Sequence, residues 1–127
     1  MRILFVFVLI LNLYAKDISE FKQLLQTIIH NQPNKLKILL NKGYDINATD
    51  EKNRTLLMVS ASNEYTTPFT KILLQYGIDV NATDINGYNA LLFAIHNPCN
   101  YDNVKYLLDA GIDVNHKTKN GLNFVIF

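Results

Sequence analysis

The chain has 127 residues, about half of them apolar, with 12 Lys and Arg against 11 Asp and Glu. That is the length of one ordinary domain, and its apolar content excludes a disordered chain. A formal charge of +1 leaves no basic footprint for nucleic acid, and no basic run in the sequence suggests attraction to anionic lipid.

Residues 1–15 read MRILFVFVLILNLYA. One charge at Arg2, an apolar run from Ile3 to Leu11 and a short end at Ala15 form the three-part layout of a secretory signal peptide, with cleavage expected after Ala15. The apolar run is short of the ~20 residues that span a bilayer. An uncleaved anchor is the alternative. Cleavage removes Arg2 and leaves a remainder of balanced charge. The segment 17–32, DISEFKQLLQTIIHNQ, predicts a first helix opened by Asp17 or Ser19, with Phe21, Leu24, Leu25 and Ile28 as its buried face and Lys22, Gln23 and Gln26 outside. PNKLKILLNK, 33–42, predicts a second helix with Pro33 in its first turn.

From there the chain repeats. LLNKGYDINATD (39–50), LLQYGIDVNATD (73–84) and LLDAGIDVNHKT (107–118) align without gaps at a spacing of 34 residues. The leucine pairs end amphipathic helices, whose buried faces are expected to be Leu36, Leu39 and Leu40, then Phe69, Ile72 and Leu73, then Val104, Leu107 and Leu108. Gly43, Gly77 and Gly111 supply the left-handed residue just past each helix. Ile46, Val80 and Val114 read as apolar plugs. The Asp45, Asp79, Asp113 and Asn47, Asn81, Asn115 series hold the loop by local hydrogen bonds. Thr55, Asn89 and Asn123 are N-caps before the short helices LLMVSA, ALLFAI and FVIF. Gly87 and Gly121 suit tight turns with positive φ, and Asn53 takes the corresponding place.

One unit is therefore a turn, a short helix, a loop, a longer helix and a glycine. GIDVNATDINGYNALLFA (77–94) and NRTLLMVSA (53–61) make the pattern resemble the ankyrin repeat. The resemblance implies an all-α repeat solenoid of stacked helix-turn-helix units with β-hairpin-like loops. About three full repeats and a partial fourth are expected, at roughly 16–47, 48–81, 82–115 and 116–127. The family's usual helix-starting Pro is Leu56, Ala90 and Phe124 here, and its His is Met58, Leu92 and Ile126. Those departures forfeit a pre-organised start and a polar tie between repeats. Units two and three carry one extra residue, expected near 63–67 and 98–102. The chain stops in the first turn of a fourth unit, and is read as a shortened form of a longer protein; the alternative is an apolar tail packed on the third repeat or on a partner.

Sites of chemistry are few. A calcium loop counted from Asp79 would need Gly at Asp84 and Glu at Ala90, and fails at both. His30, His96 and His116 read as exposed loop residues, and His96 with Cys99 is too small a set for zinc. Cys99, the single cysteine, is expected to be inert. No phosphate loop or nucleophile elbow is present, so neither enzyme activity nor a cofactor is expected.

The resemblance implies instead a binding surface along the hairpin tips and the concave face of the first helices. On this chain that surface is Glu51, Lys52, Arg54, Ser62 and Asn63, then Ile85, Asn86, Tyr88, His96 and Asn97, then Lys119, Asn120 and Leu122. The expected function is an exported, periplasmic or secreted, monomeric module that binds another protein and neither nucleic acid nor, once the signal is cleaved, membrane. The rival expectations are an accessory protein that assists a metal- or haem-dependent enzyme, for which His30 and His96 would matter, and an immunity protein that blocks a toxin.

Overall fold

A computed structural model describes residues 2–121, without the side chains of 2 and 12–18. Six α-helices are described: α1 (Arg2–Ile29), α2 (Pro33–Asn41), α3 (Leu56–Ala61), α4 (Thr67–Gln75), α5 (Ala90–Ile95) and α6 (Tyr101–Asp109), with a 3₁₀ turn at Glu64–Thr66 leading into α4. They pair as α1 with α2, α3 with α4 and α5 with α6. The pairs then stack, α1 on α3 on α5 in one layer and α2 on α4 on α6 in the other. Among the described residues there are no strands; a single antiparallel bridge joins Thr49 to Thr55 at the base of the first hairpin.

The core lies between the layers. Leu24, Leu57 and Leu91 of the first layer and Leu36, Phe69, Leu73 and Leu107 of the second are all but sealed from solvent. The expected faces hold at Phe21, Ile28, Leu39 and Ile72, while Leu25, Leu40 and Val104 are half-buried. Leu108 and Val114 depart from the expectation and are exposed, at 40% and 36%. Their counterparts Leu40, Leu74, Ile46 and Val80 are half-buried and each has a further unit after it, whereas no unit follows the third among the described residues.

Helix ends follow the local chemistry. Gly77 has φ +83, and the bonds Gly77 N–H to Leu74 C=O (3.2 Å) and Ile78 N–H to Leu73 C=O (3.1 Å) close a Schellman motif at the end of α4. The same pair of bonds recurs at Gly111 and Ile112. This explains why Ile78 and Ile112 are buried: the residue after the glycine folds back on the last turn. Thr55 and Asn89 cap α3 and α5, accepting the N–H of Met58 (3.3 Å) and Leu92 (3.2 Å). The third cap, Asn123, lies outside the described residues.

α1 differs from the expected helix at both ends. It runs without a break from Arg2, since nothing from there through Ser19 stops a helix, so Asp17 and Ser19 cap nothing. It ends at Ile29, with Asn31 left-handed (φ 53) and Gln32 outside helical geometry. The ring of Pro33 disfavours helical geometry at the residue before it. From Ile3 to Leu11 every side chain of α1 is exposed, yet no helix among the described residues is long and apolar enough to cross a membrane.

The units are tied by amide side chains. Asn47 Oδ1 accepts the N–H of Asp79 at 2.9 Å, and Asn81 Oδ1 accepts that of Asp113 at 2.9 Å. Each series Asp also holds its own loop, as Asp79 Oδ1 does on Asn81 N–H (3.0 Å). Asn89 Nδ2 donates to the Asp113 carbonyl at 3.3 Å. Where the resemblance predicted a lost polar tie, Met58 leaves its sulfur 3.4 Å from the Thr55 N–H, and Leu92 has no equivalent. A further tie was not foreseen. Asn100 and Asn103, both buried, donate from unit three to the chain at the end of α3, Asn100 to the Ala61 carbonyl and Asn103 Nδ2 to Asn63 C=O (2.9 Å), and Asn103 Nδ2 also donates to Asn100 Oδ1 (2.6 Å).

Candidate functional site

The hairpin tips are built on two aspartates. Asp50 Oδ1 accepts the N–H groups of Lys52 (2.9 Å) and Arg54 (2.8 Å), and Asp84 Oδ1 accepts those of Asn86 and Tyr88 (2.9 Å each). Residue four of each turn must be left-handed. It is Asn53 (φ 58) in the first tip, as the sequence predicts, and Gly87 (φ 79) in the second. Gly87 carries a further constraint, because a Cβ there would stand 3.0 Å from the backbone nitrogen of Lys119.

The tips are locked to one another. Ile85 N–H donates to Lys52 C=O (3.0 Å), and Lys119 N–H to Asn86 C=O (3.3 Å). His116, half-buried, places Nε2 2.5 Å from the Gly87 carbonyl, so this nitrogen carries the hydrogen. That corrects the expectation of an idle, exposed loop histidine at 116; His30 and His96 are exposed as expected.

The candidate residues divide into two groups. Glu51, Lys52, Arg54, Ile85, Asn86, Lys119 and Asn120 expose their side chains along the row of tips. Ser62, Asn63, His96 and Asn97 lie at the far ends of α3 and α5, about 9 Å away along six-residue helices. Three of these four already hold the chain: Ser62 Oγ donates to Val59 C=O (2.7 Å), Asn63 Oδ1 accepts Tyr65 N–H (2.8 Å), and Asn97 Oδ1 accepts Cys99 N–H (3.1 Å). Tyr88, expected at an open tip, is half-buried with its ring edge-on to Phe93, centroids 6.2 Å apart. Leu122 lies outside the described residues.

Beneath the first tip is a groove of about 290 Å³, lined by Phe21, Lys22 and Leu25 of α1 and by Thr49 to Lys52 and Arg54 of the hairpin. The sequence puts Lys22 on the polar outer face of its helix, and it is exposed there. Nothing in the linear sequence brings it under a tip some thirty residues on. Arg54 Nε meets Asp50 Oδ2 at 2.7 Å. Partial burial raises the Asp50 pKa, but the N–H groups of Arg54 and Lys52 and the Arg54 guanidinium outweigh it and hold the carboxyl below its usual range. Asp50 therefore stays ionised at any physiological pH.

Among the described residues no three His, Cys, Asp or Glu side chains are placed to hold a metal ion, and Cys99 is exposed. The arrangement offers a row of mixed, exposed side chains on a registered backbone over a shallow groove, a surface suited to contact. Residues 24–118 match the family model described as ankyrin repeats, in three copies. A comparison with curated proteins found no match.

Proposed function

The chain belongs to the ankyrin-repeat family, whose members generally bind other proteins, and from that we propose that it is an exported, non-enzymatic module that holds one partner protein along its hairpin tips. The observation that carries this reading is the backbone registration of the tips through Ile85 to Lys52 and Lys119 to Asn86. A backbone held in register before binding loses little entropy when a partner arrives. The contact is centred on Glu51, Lys52, Arg54, Ile85 and Asn86, with the α1 groove taking a side chain of the partner.

Export is supported by the run Ile3–Leu11, whose full exposure on α1 suits a segment removed or inserted during passage through a membrane. Cleavage after Ala15 predicts a native N-terminus at Lys16; an N-terminus at Met1 or Arg2 opposes it. The test of binding is capture of partners from the native compartment with the parent chain and with Arg54→Ala plus Ile85→Ala. A partner held by the parent and lost by the double variant supports the reading. A partner held equally by both opposes it. The accessory and immunity readings share this surface, and differ in what is captured: a metal- or haem-dependent enzyme, or a toxin.

A further inference from the structure

We propose that the second layer of helices carries a separate docking surface for an acidic protein segment that crosses α2, α4 and α6. Lys37, Lys71 and Lys105 fall at the same 34-residue period as the glycines, one on each of these helices, and all three are exposed. None has a carboxylate partner among the described residues. In the sequence they lie far apart, which is why no basic run is visible there. Stacking of α2 on α4 on α6 brings them into one row. Packed helices lie about 8–10 Å apart, so the row spans about 20 Å.

Neither α2 nor α4 contains an Asp or Glu. Exposed apolar groups, Ile38 and Tyr76, stand among the charges. The groove beneath the first tip lies against α1, in the other layer.

The chemistry that fits is a row of carboxylates at about 10 Å intervals. A helix with an acidic residue at every seventh position supplies that spacing, at about 1.5 Å per residue. An anionic bilayer fits less well. Asp102 and Asp109 flank Lys105 on α6 and are exposed, so a uniformly negative surface would repel them. A segment with carboxylates at fixed points avoids them.

The test uses the full chain and two synthetic helical peptides of equal composition. One carries Glu at every seventh residue, the other the same Glu residues in a block. Titrations are followed by fluorescence anisotropy at low and high ionic strength, beside co-sedimentation with vesicles containing about one-quarter phosphatidylglycerol. The expected result is saturable binding of the heptad peptide that salt weakens. Lys37→Gln, Lys71→Gln and Lys105→Gln together should weaken it about tenfold, as three exposed ion pairs allow. Arg54→Ala should leave it unchanged, and the triple variant should melt as the parent does.

The proposal fails if neither peptide binds, if the triple variant binds as the parent does, or if vesicles retain the parent but not the triple variant. It also fails if Arg54→Ala alone abolishes peptide binding, in which case the tips account for the contact and the functional reading above still stands.

Discussion

Replacing Asn103 by Ala should destabilise the fold by about 2–3 kcal/mol. The side chain is fully buried, and its two N–H hydrogens are best spent on Asn63 C=O at 2.9 Å and Asn100 Oδ1 at 2.6 Å. Two such bonds contribute about 1 kcal/mol each in net terms. Truncation also removes the donor to Asn100 Oδ1, a buried acceptor whose orphaning costs about 1–3 kcal/mol. Against this, Asn103 Oδ1 is itself buried without a partner, and its removal relieves a penalty of the same size. The lost bonds and a small cavity are what remain. Asn103→Asp makes the test sharper, since it sets a carboxyl where the donating amide was, facing two acceptors. It should cost more than the alanine at pH 7, and part of that cost should vanish as pH falls and the acid gains a proton to donate. Urea denaturation followed by far-UV circular dichroism measures both. An alanine variant within about 0.5 kcal/mol of the parent, or an aspartate variant no worse than alanine, would refute the claim that this amide ties unit three to unit two.

Glycine substitutions should rank by what a Cβ meets. Gly77→Ala strains only the backbone and should cost about 1 kcal/mol; Gly87→Ala adds a 3.0 Å approach to Lys119 and should cost clearly more by the same denaturation assay. Removing the tie at Asn81 by Ala should cost about 1 kcal/mol and raise hydrogen exchange at the Asp113 amide. The Asp50 carboxyl is held below its usual 3.8 in the folded chain, so its contribution is complete above that value and is lost as pH falls through the lower folded value. The amide shifts of Lys52 and Arg54 in an NMR titration should report this change below about pH 4, and a midpoint above 4 would contradict it. Tyr88→Ala should lower the melting temperature through the lost Phe93 contact, whereas Arg54→Ala should shift stability by no more than about 1 kcal/mol.

Much of the fold was legible because the repeat writes the same instruction several times. The glycines, the caps Thr55 and Asn89 and the left-handed Asn53 each depend on a few neighbouring residues, and such local geometry can be read from a linear string. What was not legible depends on stacking. Leu108 and Val114 take the places of Leu40 and Leu74 and of Ile46 and Val80, which are half-buried, but the cover those four have needs a neighbouring unit. Asn100 and Asn103 break the repeat pattern, so no periodicity marked them; their partners lie some forty residues earlier. The tips were found, but their two-part character was not. Asn63 and Asn97 looked free to vary because their capping partners are backbone groups of an irregular loop.

Hydrogen–deuterium exchange of the full chain, alone and with the captured partner, tests the central claim most directly. The account predicts added protection at 50–54, 84–88 and 118–121, together with the face of α1 below the first tip. Protection confined to the loop ends near Ser62 and His96, or to α2, α4 and α6, would contradict it.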